Sequence, residues 1–136
     1  MRAAILAFSA KGVATAQRIA RTMSEQGYSC SVYAPEKHAC PGVLALEGGI
    51  GKQTGALFGV CDALVYVGAC GIAVRSIAPY IKNKAVDPAV VCVDETARFV
   101  ISLLSGHIGG GNRLAETLAN AIGAQAVVTT ATDVNG

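Results

Sequence analysis

The stretch "AAILAFSAKGVATAQRIARTMSEQGYSCSVYAP" (residues 3–35) determines the fold class, because it contains a complete strand–helix–strand unit. Ala3–Phe8 is an uninterrupted apolar run, typical of a strand that is buried on both faces. Ser9 is a helix-capping residue, and apolar residues then recur at helical spacing until Gly27. A second short strand, Ser29–Pro35, ends at a proline. Two strands joined by a helix predict a parallel pair.

The rest of the chain continues this alternation after a loop over Glu36–Gly49. The predicted elements are a weak helix over Gly51–Cys61, a strand over Ala63–Ala69, a helix from Cys70 interrupted at Pro79, strands over Ala89–Asp94 and Phe99–Leu104, a helix within Gly110–Ala124 and a strand over Gln125–Thr132. The turn "ETAR" is short, so the two strands around it are expected to be antiparallel. We therefore predict an α/β fold: a three-layer α/β/α sandwich with a mostly parallel sheet and one late β-hairpin.

The composition favours a single globular domain and argues against a disordered, membrane-spanning or nucleic-acid-binding protein. The 136 residues suit one domain, and 52% hydrophobic with 15% charged residues supply a core and argue against disorder. No apolar run approaches the roughly 20 residues of a membrane span, and "MRAAILAFSAKG" is too short for a signal peptide. A net charge of +2, no Trp and 5% aromatic residues argue against nucleic-acid binding. We expect a cytoplasmic protein with neither a nucleic-acid nor a membrane partner.

The cysteines carry no metal or redox motif. They are odd in number and form no C-x-x-C pair, so neither a zinc site nor a thioredoxin-like site is indicated; they are Cys30, Cys40, Cys61, Cys70 and Cys92. We expect the cysteines to be small buried hydrophobic residues in a reducing compartment.

Three loops lead from a predicted strand into a predicted helix: Phe8–Gly12, Val67–Arg75 and Leu104–Asn112. In α/β folds, ligands bind beyond the carboxyl ends of the strands. The last two loops are rich in small residues, which let backbone N–H groups approach a ligand, and a helix start favours an anion. We expect these two loops to meet at one end of the sheet and to bind carboxylates or phosphates.

Two segments resemble nucleotide-binding motifs, but neither motif is complete. "GGIGKQTG" (residues 48–55) resembles a P-loop, but Leu46 stands where its first glycine belongs and Gln53 where Ser or Thr should follow the lysine. "GACGIA" (residues 68–73) is a poor dinucleotide fingerprint without a suitably placed acidic residue. Nucleotide binding is therefore the weakest of the functions considered.

His107 is the candidate for proton transfer, because imidazole exchanges protons near neutral pH. A histidine whose ring is satisfied by a backbone carbonyl in a turn fits its position equally well. Ser105 could orient the ring, and Asp94 or Asp133 could complete a triad on topology alone. His38, in a polar loop, is expected to be only solvated.

Arg75 and Arg113 are predicted in the first turns of their helices, where the helix dipole disfavours a cation. Contact with an anionic ligand would explain this placement. A solvated surface position explains it equally well.

Several segments in order resemble a known family: "GACGIAVR" (68–75), "DPAVV" (87–91), "SLLSGHIGGGN" (102–112) and "TTATD" (129–133). The whole stretch from Gly68 to Gly136 resembles the amino-terminal region of the CbiG family, the cobalt-precorrin-5A hydrolases of anaerobic cobalamin biosynthesis. The resemblance implies that residues 1–136 are a single α/β domain, and that the middle and carboxyl-terminal regions of the family lie outside this sequence.

The family activity is opening of the δ-lactone on a ring-contracted tetrapyrrole, followed by release of acetaldehyde. The implied substrate is a cobalt-precorrin that carries acetate and propionate side chains. The resemblance implies that the cobalt arrives with the substrate, so neither a cofactor nor a metal site of the protein is expected.

Lactone hydrolysis needs an activated water and a stabilised oxyanion. The chemistry of the residues predicts His107 and Ser105 as catalytic, with His107 activating the water and backbone N–H groups of Gly109–Gly111 holding the oxyanion or a carboxylate. The predicted substrate-binding residues are Gly68, Gly71, Arg75, Gly109, Gly110, Gly111 and Asn112.

A second hypothesis from a different class stays open. The chain could be a non-catalytic corrinoid-binding or partner-binding module that needs a separate domain for activity. The partner would then be a carboxyl-terminal CbiG domain or another enzyme of the cobalamin pathway.

Overall fold

The computed structural model describes residues 1–131, which form a sheet between two layers of helices. The strands are β1 (Arg2–Ala7), β2 (Ser29–Ala34), β3 (Val43–Ala45), β4 (Ala63–Val67), β5 (Ala89–Val93), β6 (Phe99–Leu104) and β7 (Gln125–Val127). The α-helices are α1 (Ala10–Glu25), α2 (Gly49–Phe58), α3 (Cys70–Ile77) and α4 (Gly111–Ile122), with short 3₁₀ turns at Glu36–His38 and Ala78–Tyr80. Within residues 1–131 no helix is both long and apolar enough to cross a membrane.

The first helix shows how local sequence fixes an element. The Ser9 hydroxyl accepts a hydrogen bond from the Gly12 N–H at 3.0 Å, which satisfies one of the unpaired donors at the start of α1. The buried side chains of this helix include Val13, Ile19 and Met23, which recur at helical spacing on one face. The capped start and the apolar stripe confirm the helix predicted after Ser9.

The sheet has the strand order β3-β2-β1-β4-β5-β6-β7. Strands β1 to β5 are parallel, β6 pairs with β5 in the antiparallel sense, and β7 runs parallel to β6. The mostly parallel sheet and the late hairpin are therefore confirmed. The chain builds outward from β1 to β3 and then returns to β4, so the topological switch point lies between β1 and β4.

The two faces of the sheet have separate cores, which confirms the three-layer sandwich. On one face, Ile5 and Val65 pack with Ile19 of α1 and Leu118 of α4. On the other face, α2 and α3 cover a second core whose members include Leu6, Leu64, Tyr66, Leu57, Phe58 and Ile77. All five residues of β4 and of β5 are buried, as expected for strands covered on both sides.

Sequence patterns missed the short edge strand β3, which lies inside the segment predicted as a loop. Only Val43 of its three residues is buried, so the strand has too few residues to show a period-two pattern. Helix α2 begins at Gly49, two residues before the predicted start. The last strand ends at Val127, whereas the prediction continued to Thr132, a residue outside the described range.

Candidate active site

The structure separates the predicted site residues into two groups at opposite edges of the sheet. In the antiparallel register Val93 lies opposite Val100, and Val90 lies opposite Leu104. The loop after Leu104 is therefore beside the first residues of β5, whereas the Gly68 turn follows the last residue of β4. The expectation that these two loops meet is wrong, because the hairpin reverses the direction of the chain before the second loop begins.

The carboxyl edge, where β1, β4 and β5 end, holds the predicted residues Gly68, Gly71 and Arg75. The amino edge, where those strands begin, holds Ser105, His107, Gly109, Gly110, Gly111 and Asn112. Strands of five residues separate the two edges by roughly 15 Å, at about 3.3 Å per residue. No single bond of a substrate can contact both groups.

A cleft of about 540 Å³ opens at the carboxyl edge, at the switch point. Phe8 and Ser9, which follow β1, form one side, and Gly68 with Ala69, which follow β4, form another. The turn of the β5–β6 hairpin, residues 94–98, contributes the remaining wall. This is the place where open parallel sheets bind their ligands.

The Gly68 turn is shaped by close packing. Its N–H donates to the Val93 carbonyl at 2.8 Å, and a Cβ on Gly68 would lie 3.2 Å from the Phe8 ring. The helix that follows, α3, begins after Ala69 without a side-chain cap. The small residues therefore allow the aromatic ring to close over the turn.

Arg75 lies in the last turn of α3, which corrects its predicted position in a first turn. The helix starts at Cys70 and has only eight residues, so Arg75 is already near its carboxyl end, where the dipole favours a cation. Its side chain is exposed and folds back toward Gly71, where a Cβ would be 3.3 Å from Nη1. The dipole argument for an anion contact at Arg75 no longer holds.

Glu95, in the hairpin turn, is a cleft residue that sequence reasoning missed. The Ser9 hydroxyl donates to Oε2 of Glu95, and the Thr15 hydroxyl donates to the Glu95 carbonyl at 2.9 Å. The two donors are the N-cap residue of α1 and a residue in the second turn of that helix. The signal was present in the sequence, because a tight antiparallel turn after β5 must lie at the carboxyl edge.

Asp94 holds the hairpin turn together. Its Oδ1 accepts the N–H groups of Arg98 and Phe99, each at 2.7 Å, and its Oδ2 accepts the N–H and the hydroxyl of Thr96. Partial burial by itself would raise the pKa of Asp94, but these hydrogen bonds outweigh it and lower that pKa below its usual value. As a triad partner for His107 this carboxylate is ruled out by its place at the opposite edge. The other candidate, Asp133, lies outside the described residues.

The glycine run at the amino edge is packed against the end of β6. A Cβ on Gly109 would lie 2.5 Å from the Cβ of Ser105, and one on Gly111 would lie 3.1 Å from the Leu104 carbonyl oxygen. The Gly111 N–H already donates to the Ser105 carbonyl at 3.1 Å. Close packing, rather than an approaching ligand, is therefore sufficient to explain the missing side chains at Gly109 and Gly111.

The polar groups near this run have structural partners. Ser105 is buried at a positive φ of 55°, and its hydroxyl donates to the Asp87 carbonyl at 3.1 Å. Asn112 is also buried, and its Nδ2 donates to the Thr130 hydroxyl at 2.7 Å. His107 itself is exposed. The catalytic roles given to Ser105 and His107 stay predictions.

The cysteines only partly match the expectation of buried hydrophobic residues. Cys92 is buried, Cys40 is exposed, and the other three are half-buried; none is in a disulfide. Burial, followed by the neighbouring Cys70 thiol, raises the pKa of Cys92 to about 12, and its thiol donates to the Gly68 carbonyl at 3.3 Å. Among residues 1–131 no group of three or more His, Cys, Asp or Glu side chains is placed to hold a metal ion.

The fold and the cleft define a doubly wound α/β domain with a candidate ligand site at its switch point. The sequence family described as "Cobalamin synthesis G N-terminal" matches residues 52–133. The chain belongs to this family.

Individual relatives agree with that assignment. A cobalt-precorrin-5A hydrolase of Salmonella typhimurium is 42% identical over 132 residues, covering 97% of this chain and 36% of the relative. One of Priestia megaterium is 36% identical, covering 96% of this chain and 35% of the relative. A crystal structure of a cobalamin biosynthesis protein G homolog from Sulfolobus solfataricus superposes with a TM-score of 0.74 at 25% identity, over 97% of this chain and 38% of that one. The chain thus spans about a third of the length of the curated relatives it matches.

Asp94→Asn tests the role of this carboxylate in the hairpin. Because the folded-state pKa is lowered, the stabilisation by the charged form is complete above the ordinary value of 3.8 and is lost as the pH falls through the folded value. We expect the variant to lose about 1 kcal/mol of unfolding free energy at pH 7, since part of the turn is solvated. Urea unfolding from pH 7 to pH 3 should show this difference shrinking as the pH falls. Glu36→Gln, at an exposed carboxylate, is the control, and a pH-independent difference for Asp94→Asn would contradict the assignment.

Gly109→Ala tests whether the glycine run is needed for packing. The added Cβ collides with Ser105, so we expect a loss of about 1–3 kcal/mol of unfolding free energy. Gly51→Ala in α2 is the matched control, because a Cβ there meets nothing within 4 Å and alanine favours a helix by up to about 1 kcal/mol. Chemical denaturation of both variants gives the comparison, and equal stabilities would mean that the loop is not closely packed.

Proposed function

We propose that this chain is the amino-terminal part of a cobalt-precorrin-5A hydrolase, and that its carboxyl-edge cleft receives the lactone-bearing rim of the macrocycle. One observation carries the proposal: the Gly68 turn, which opens the segment "GACGIAVR", lines a cleft at the switch point of a chain whose full-length relatives bear that name. The cobalt would enter with the substrate, and no cofactor of the protein is proposed.

The size of the cleft fits one side of such a substrate. Pockets of about 300–1,000 Å³ hold drug-sized ligands, and a tetrapyrrole with many acid side chains is larger than these. The cleft of about 540 Å³ would therefore take one rim and leave the rest of the ring outside. Arg98 lines the cleft, so its cation is available for a carboxylate of the substrate. Arg75 lines a neighbouring pocket that shares Ile72 with the cleft, and its guanidinium folds back toward Gly71.

The His107 loop has a different part in this proposal. It stands at the amino edge, roughly 15 Å from the cleft, and its glycines pack against β6. We propose that Ser105, Gly109, Gly111 and Asn112 support the fold of this edge.

The alternative of a binding module that needs another domain is favoured by one fact. The chain spans about a third of the length of its curated relatives, and substrate outside the cleft would need other walls. In either case we place the protein in the cytoplasm, in keeping with the five free thiols.

Anaerobic incubation with cobalt-precorrin-5A separates these functions. The chain is assayed for lactone loss and acetaldehyde, alone and together with the part of the Salmonella relative that lies outside the matched region. Turnover by the chain alone supports a catalytic domain, and turnover only in the mixture supports a shared site. Substrate binding without turnover in any combination supports the binding module. The absence of both binding and turnover in every combination overturns the proposal.

His107→Ala distinguishes the structure-based site from the one predicted by sequence. Since His107 lies at the opposite edge from the cleft, we expect the rate of lactone opening to stay within about 3-fold of the unchanged chain. A fall of about 10²-fold or more, the usual effect of losing a general base, would instead assign the chemistry to the amino edge. Lys37→Ala, in the exposed turn after β2, is the control for surface changes.

A further inference from the structure

We propose that Glu95 is the catalytic base for lactone opening in the carboxyl-edge cleft, and that Ser9 is the residue that positions it. This inference rests on the proposed function. It adds a residue that belongs to neither the predicted catalytic set nor the predicted substrate-binding set, although its turn, "ETAR", was recognised in the sequence as the hairpin turn.

Glu95 is held in the cleft at two points. Its side chain accepts the Ser9 hydroxyl, and its carbonyl accepts the Thr15 hydroxyl at 2.9 Å. Ser9 and Glu95 are 86 positions apart in the chain, so the contact exists only because β1 and β5 both end at this edge. An exposed turn residue with both its main chain and its side chain fixed is preorganised, as catalysis requires.

The hydrogen bonds also have a direction. The Gly12 N–H donates to the Ser9 oxygen at 3.0 Å, and the Ser9 hydroxyl in turn donates to Oε2 of Glu95. Because the ionised carboxylate of Glu95 can only accept hydrogen bonds, the hydroxyl proton of Ser9 points toward it. Oε1 is then the oxygen of Glu95 that can take a proton from a water in the cleft.

The lining of the cleft suits this step. Gly68 and Ala69 carry little side chain, and Phe8 and Ile72 add apolar surface next to the Ser9–Glu95 pair. A lactone rim can therefore approach the carboxylate closely, with its aliphatic part against the apolar side. Asp94 is the other acidic residue of the cleft, and its carboxylate accepts hydrogen bonds from backbone N–H groups of its own turn.

The reaction balances with water as the only co-reactant. The water oxygen attacks the lactone carbonyl carbon while Oε1 of Glu95 accepts a water proton, giving a tetrahedral intermediate. Its collapse breaks the ring C–O bond, and the departing alkoxide takes the proton back from Glu95. The products are a carboxylic acid and an alcohol on the opened macrocycle, and Glu95 returns to its carboxylate form.

The test measures kcat and KM in whichever form opens the lactone, the chain alone or its mixture with the remainder of the Salmonella relative. Glu95→Gln keeps the shape and an acceptor for Ser9 but removes the base, so kcat is expected to fall at least 10²-fold with KM within about 3-fold. Ser9→Ala should lower kcat about 10-fold, and Ser9→Thr should restore most of it. Glu47→Gln, an exposed carboxylate following β3 at the same edge, is the matched control and should be unchanged.

Each outcome decides a separate point. An active unchanged chain with a fully active Glu95→Gln variant overturns this inference and leaves the proposed function intact. An unchanged chain that binds the substrate without turnover in every form overturns this inference and supports the binding module, and an unchanged chain that shows no binding and no turnover overturns both. A raised KM at constant kcat would make Glu95 a binding residue and also contradict the assignment. If Glu95→Gln does not fold, Glu95→Asp withdraws the carboxylate by one methylene while keeping its charge, and full activity of that variant would overturn the inference as well.

Discussion

The antiparallel pairing of β6 with β5 is the constraint on which the arrangement of the molecule depends. Up to Val93 the strands of the sheet run in one direction, so their carboxyl ends and the loops that follow share one edge. The hairpin then turns the chain back. It delivers residues 94–98 to the switch-point cleft and sends the glycine-rich loop to the opposite edge. One tight turn thus decides both which residues join the candidate site and which are excluded from it.

Sequence patterns predicted the layers well, because buried strands and amphipathic helices leave strong periodic signals. The capped helix after Ser9 and the stripe that includes Leu118 both follow from such signals. The three-residue strand β3 left none, since only Val43 is buried. The predicted location of the site was wrong for another reason: an antiparallel hairpin carries the loop after its second strand, and His107 with it, to the opposite edge of the sheet. Strand order, which places the switch point beside β4, comes from packing between distant segments and is not written in any local pattern.

Glycine-rich segments proved ambiguous as markers of ligand binding. A bare backbone permits close approach by any atom, and the approaching atom can belong to the protein itself. At Gly109 and Gly111 it is the end of β6, and at Gly68 it is the Phe8 ring. The turn at Gly68 nevertheless borders open space, because the cleft lies on its other side. What distinguishes the two loops is therefore the cavity beside them, which composition cannot reveal.

The family match covers residues 52–133 and so includes both edges of the sheet, which means that similarity alone does not choose between them. Physical arguments do. A hydrolytic step needs a proton acceptor, an opening for the substrate and a fixed geometry between them. At the carboxyl edge these come together in Glu95, the cleft and the hydroxyl bonds from Ser9 and Thr15. At the amino edge the buried Ser105 hydroxyl and Asn112 amide donate hydrogen bonds to neighbouring segments of the chain. These hydrogen bonds stabilise the loop. The side chain of Glu95 joins two distant segments of the chain and also lines an open cleft. It is therefore the stronger candidate for function, because its fixed position serves a ligand that enters the cleft.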